Sequence, residues 1–270
     1  VPITPGSAID TSQGAATRGF YQGHSQGGIM GGAYVALAPD IDRGVLGVPG
    51  INYSTLLTRS VDFDEYAHGA IPQYVPGVGL YDNYPDKSEL PLILSIMQIL
   101  WDRGEGNGYV QTMNPANSPL PNTNPHTVLL SVATGDHQVA NIAAEVEART
   151  IGARIYTPDG VADHALDPGR WNPVSNPFLG IEPITSFPYS GSALVLFDSG
   201  PLRDGGTKGT NYSPLTNAAP TDADGNDPHE FPRRTATGQQ MKSDFYAPGG
   251  QVTKACGSGP CYSDGFTGAP

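Results

Sequence analysis

The stretch "GFYQGHSQGG" (residues 19–28) sets Ser25 between Gly23 and Gly27 in the pattern Gly-x-Ser-x-Gly. Around it, "RGFYQG" reads as a short buried strand. "SQGGIMGGAYVALAP" reads as a helix with small residues along one face, and "RGVLGVPG" as the next strand. Strand, sharp turn, helix and strand make a parallel βαβ unit, which points to an α/β fold. At such a turn, small neighbours permit the strained backbone that lifts a serine hydroxyl clear of the sheet. The N–H of Gln26 then falls at a helix N-terminus, placed to receive an oxyanion. Further glycines at 28, 31 and 32 are poor helix formers and imply close packing of the helix on the sheet.

A serine hydroxyl is a weak nucleophile at neutral pH; it needs an imidazole to take its proton and a carboxylate to orient that imidazole. Asp136, in "TGDHQV", directly follows the apolar strand "TVLLSVA" (127–133), where a shared strand edge brings it toward Ser25. The same aspartate suits a cap for the helix that starts near Gln138 and carries Val139, Ile142, Ala143 and Val146 at helical spacing. Two histidines are candidate bases. His164, in "GVADHALDPG", lies just past the strand "GARIYTP" (152–158), and His229, in "NDPHEFPRR", follows the stronger strand "SALVLFDSG" (192–200). His24 and His137 flank the serine and the acid and are expected to point away, while His68 and His126 precede the required strand order.

Composition narrows the function. Against 26 Asp+Glu stand only 14 Lys+Arg, a formal net charge of -12 that leaves little to neutralise phosphates, so nucleic acid and anionic membrane surfaces are poor partners. The longest apolar stretch, "LPLILSIMQILW" (90–101), is too short to span a bilayer and is expected as a buried or lid helix. The 35 glycines and 26 prolines follow no period and alternate with apolar runs, so the chain reads as a folded, loop-rich protein.

A single domain over residues 1–270 is expected. Its longest excursion, 51–125, is a cap insertion by length and aromatic content. After residue 200 come a polar loop, a helix over about 236–245 and a tail (246–270) whose Cys256 and Cys261 are expected to close a small disulfide in an oxidising compartment. Zinc on these cysteines needs two further ligands, and no second Cys/His pair lies near them in sequence. In "TDADGNDP", Asp222, Asp224, Asn226 and Asp227 resemble the start of a calcium loop, but Asp227 replaces the required glycine, so an Asx-rich turn is the better reading.

The elbow and the order serine, acid, histidine resemble the α/β-hydrolase superfamily. "YQGHSQGGIMGGAYVALAPD", "VLGVPGINYSTLLTRSVDFD", "ILWDRGEGNGY", "VATGDHQVANIAAEVEARTIGAR", "SALVLFDSG" and "DPHEFPRR" followed by "CGSGPC" more closely resemble a group of exported bacterial α/β-hydrolases. That resemblance covers most of the chain from Phe20 onward and favours His229 over His164 as the base. It implies a secreted or cell-envelope serine esterase with a Ser25–His229–Asp136 triad and Gln26 N–H in the oxyanion hole. Such an enzyme needs no metal or organic cofactor, and its partner is a small-molecule ester. The chain departs from the family in that few residues precede Ser25: the early strands, and the loop that normally gives the second oxyanion donor, are missing. An upstream N-terminal segment of the same precursor is therefore an expected partner. A non-catalytic hydrolase-like module for extracellular binding or assembly, and a peptidase or amidase with the same triad, are the alternative readings.

Overall fold

A computed structural model describes residues 19–68, 79–161, 165, 178–200, 203–204, 207–208 and 227–266. Strand β1 (Gly19–His24) leads through Ser25 into helix α1 (Gln26–Leu37) and back to β2 (Ile41–Gly47). Short helices α2 (Tyr53–Leu56), α3 (Asp64–Ala67) and α4 (Leu80–Asn83) and the longer α5 (Leu90–Trp101) occupy the connection to β3 (Thr127–Ala133). Next come α6 (Asn141–Ile151), β4 (Arg154–Ile155) and β5 (Ala193–Asp198). A two-residue-per-arm hairpin, β6 (Arg203–Asp204) with β7 (Thr207–Lys208), precedes α7 (Ala236–Tyr246) and β8 (Cys261–Tyr262).

The strands make one six-stranded sheet in the order β1-β2-β3-β5-β4, with β8 paired to the end of β5. Each adjacent pair runs parallel. Parallel strands covered on both faces by helices are continuous apolar runs, and β5 (ALVLFD) is buried along its whole length. Two hydrophobic clusters result. One packs α1, α6 and the β2–β3 connection against Leu46, Leu130 and Leu194; the other packs α7 and the C-terminal segment against Val45, Leu129 and Phe197. The class is therefore α/β, with no helix among the described residues long and apolar enough to cross a membrane. On its outer side β1 has no strand partner among the described residues.

Several local readings change. In α6 the buried side is built from Ala143, Ala144, Glu147, Ala148 and Ile151, while Ile142 is exposed and Val139 is buried ahead of the helix. The side chain of Asn141 dictates this rotation: it accepts from Gly135 N at 2.9 Å and donates to Ala133 O at 2.6 Å, anchoring the first turn to the end of β3. Helix α5 is not a buried helix. Leu90, Leu94 and Gln98 face inward, but Leu92, Ile96, Ile99 and Leu100 are each more than half exposed. It is held by polar contacts: Gln98 accepts from Ser54 N at 2.9 Å and donates to Asp102 and to buried Glu105, which also accepts from Tyr53 N at 3.1 Å. The tail contributes a strand that periodicity does not signal. Cys256 and Cys261 form a disulfide, and Cys261 begins β8 on the end of β5.

Glu147 of α6 is fully buried with neither carboxyl oxygen hydrogen-bonded. Burial, reinforced by the charge of Glu105, pushes its pKa well above 4.5. The folded chain thus holds a proton at Glu147 that the unfolded chain releases above about pH 4.5, so this group costs stability increasingly as pH rises from there. Glu147→Gln is expected to raise the melting temperature at pH 8 relative to the parent, with the difference shrinking toward pH 4.5. A difference independent of pH in thermal unfolding contradicts this assignment.

Candidate active site

The carboxyl ends of the parallel strands gather the residues singled out above, as is usual for open α/β sheets. Ser25, between the last residue of β1 and the first of α1, has φ 59° and ψ −125°. A non-glycine residue in this region costs roughly 1–3 kcal/mol and persists only where its surroundings hold it. The holding contacts are on both sides: Ser25 N donates to Gly47 O at 2.9 Å, and Ser25 O accepts from Gly28 N and Ile29 N at 2.7 and 2.9 Å. A Cβ on Gly23 would stand 2.1 Å from Gly27 O, and one on Gly28 would stand 2.3 Å from Gly47 O. Gly27 itself has room for a methyl group, its nearest outside neighbour being the Tyr21 hydroxyl at 3.7 Å. The elbow therefore requires glycine before the serine, at Gly23, and tolerates a side chain at Gly27.

Gln26 opens α1, where main-chain N–H groups have no intrahelical acceptor. Its side chain donates to the Tyr53 hydroxyl at 2.8 Å, linking the elbow to α2.

Asp136 follows β3 and is fully buried. One carboxyl oxygen accepts from Gln138 N at 2.8 Å and Val139 N at 2.9 Å; the other lies 2.8 Å from His229 Nδ1. The helix expected to start near Gln138 begins at Asn141 with Ala140 as its N-cap and no side-chain cap, so Asp136 does not cap it: one carboxyl oxygen braces the turn ahead of α6 while the other meets the histidine. His229 is 2 % exposed, in a single 3-10 turn (Pro228–Glu230). Its position is set by Asp227, whose Oδ1 accepts from His229 N at 3.1 Å and His137 N at 3.4 Å while Oδ2 accepts from Gln138 Nε2 at 3.3 Å. Asp227, considered above only as part of a calcium-like run, thus ties the histidine turn to the Asp136 loop. Asp222, Asp224 and Asn226 lie outside the described residues, as does His164.

Burial pulls the His229 imidazole down, but the hydrogen bond and charge of Asp136, with the charges of Asp227 and Asp62, outweigh it and hold its pKa above 6.5. His24 does not point away. Its ring lies edge-on to that of His229, 5.2 Å between centroids, and burial with the nearby His229 and Arg233 lowers its pKa to about 4. Ser25 is the next residue in the chain, so the end of β1 adjoins the Asp136–His229 pair. His137 contributes its backbone to this region, His126 binds Ala38 O far along the chain, and His68 sits on α3's end beside Asp82.

A cavity of about 800 Å³ opens at the elbow. Ser25, Gln26 and Asp62 supply polar groups, and Ile29, Leu56, Val61, Phe63, Tyr66, Trp101 and Val139 supply apolar and aromatic walls. A second cavity of about 430 Å³, lined by Asp42, Arg43 and Asn124, lies toward the opposite ends of β2 and β3 and contains none of these groups.

No family model, curated protein or solved structure matches this chain.

The different crowding at the two elbow glycines is directly testable. Gly23→Ala is expected to destabilise by more than about 3 kcal/mol, beyond ordinary overpacking, because the clash is with backbone. Gly27→Ala is expected to melt within a few degrees of the parent. Equal melting temperatures for the two variants would contradict the described elbow.

Proposed function

We propose that this protein is a serine hydrolase of the α/β-hydrolase type that cleaves carboxylic esters. The observation that carries the reading is a serine held at positive φ on a strand-to-helix turn, directly following His24, whose ring packs on a buried histidine hydrogen-bonded to a buried carboxylate. Ser25 Oγ attacks the acyl carbon while His229 Nε2 takes its proton. Asp136, on Nδ1, fixes the tautomer and steadies the imidazolium. The Gln26 N–H receives the oxyanion at the start of α1. The alcohol leaves with the proton from His229, and water, activated by the same imidazole, releases the acid from the acyl-serine.

Residues 51–125 act as the cap over this site. The aromatic and aliphatic walls of the 800 Å³ cavity favour an apolar acyl or aryl group. The disulfide favours an oxidising, extracellular setting. No metal or organic cofactor enters the chemistry.

A fluorophosphonate probe is expected to label Ser25, located by peptide mass mapping, and Ser25→Ala is expected to abolish turnover of a short aryl ester. Asp136→Asn should lower kcat by roughly 10³–10⁴-fold, by leaving the imidazole in the wrong tautomer. Because His229 must be neutral to accept a proton and titrates above 6.5, kcat/KM should fall as pH drops through a midpoint above 6.5. Parental turnover by Ser25→Ala would end the assignment, and an intact, unlabelled protein would favour a non-catalytic binding module.

A further inference from the structure

We propose that His24, His229 and Glu230 form a Zn²⁺ site whose occupation switches the hydrolase off. A ligand atom from each of the three lies within 4.8 Å of the others, and His24 Nε2 stands 3.6 Å from Glu230 Oε1. His24 Nε2 is buried with no hydrogen-bond partner, so a metal bond fills a place no protein group occupies. Two imidazoles and one carboxylate suit Zn²⁺ rather than Mg²⁺ or Ca²⁺, and three protein ligands leave a fourth position to water. Metal bonds of about 2.0–2.1 Å draw tetrahedral ligand atoms to about 3.4 Å apart, so the site closes by small side-chain rotations.

The surroundings already resemble a metal ligand shell. Metal-bound histidines characteristically give their other ring N–H to a carboxylate, which raises ligand basicity, and His229 Nδ1 has that relation to Asp136. Nε2 is then the nitrogen left to ligate. Glu230 directs Oε2 to Arg233 and Arg234, which leaves Oε1 toward His24. The two guanidinium charges weaken attraction for a cation, so the site is a reversible one.

Inhibition follows because the nitrogen that would accept the serine proton is the one that binds the metal. Only this inhibitory consequence rests on the hydrolase reading; the binding itself does not.

The test is calorimetric titration of the chelator-treated full chain with ZnCl₂, alongside ester turnover with and without zinc. One Zn²⁺ per chain is expected, with MgCl₂ giving no heat. Glu230→Gln and His24→Gln should each weaken Zn²⁺ binding at least tenfold. Glu230→Gln, at a partly exposed position, should keep ester turnover within about twofold of the parent and lose its sensitivity to zinc. Chelator should restore parental activity. Absence of stoichiometric binding, or binding unchanged in a folded variant, overturns the site. Binding that responds to both substitutions in a protein without esterase activity upholds the site and rejects the hydrolase reading instead.

Discussion

Ser25 can hold a φ of 59° only because α1 descends onto the sheet at backbone contact distance. Gly23 and Gly28 allow that approach, and Gly31 extends it: a Cβ there would lie 2.4 Å from the Tyr21 ring. The hydrogen bond from Ser25 N to Gly47 O then locks the turn to β2, and the register of β1 on β2 runs His24 opposite Gly47. From this junction the positions of the other groups follow. β2 aligns β3, β3 delivers Asp136, and the C-terminal turn brings His229 down on Asp136.

A strongly acidic chain meets a particular electrostatic problem in burying an imidazole. Here Asp136, Asp227 and Asp62 all act on His229, and the first two also bind it or its backbone. The result is a more basic imidazole than an exposed one, although its ring is removed from water. His24, close by but with no carboxylate in hydrogen-bond contact, responds in the opposite sense. The two histidines differ because one has an anionic hydrogen-bond partner, whereas at the other burial, His229 and Arg233 outweigh the more distant charge of Glu230.

Much of the architecture was legible. The run 127–133 became β3 with both ends as read, residues 236–246 became a helix, and the cysteine spacing became a disulfide. These are local properties: continuous apolar character, helical spacing and a short loop between two thiols. The strand over 152–158 shortened to Arg154–Ile155, and the two-residue β8 was not visible, because a strand that short carries no periodicity of its own. In α6 the buried face departs from the apolar spacing because alanines, not the larger Ile142, allow the helix to approach the sheet.

Sequence by itself determined the α/β class, the glycine-flanked serine at a strand-to-helix junction, the placement of Asp136 after a buried strand, and the net negative charge. It left two histidines as candidates and set the other four, His24 among them, aside. Tertiary structure decided that His229 meets Asp136, that His24 lies against His229, and that Asp227 clamps the histidine turn. The physical reason is range. Strand and helix signals arise between near neighbours, whereas a contact between residues 93 apart depends on how the whole sheet stacks its strand ends.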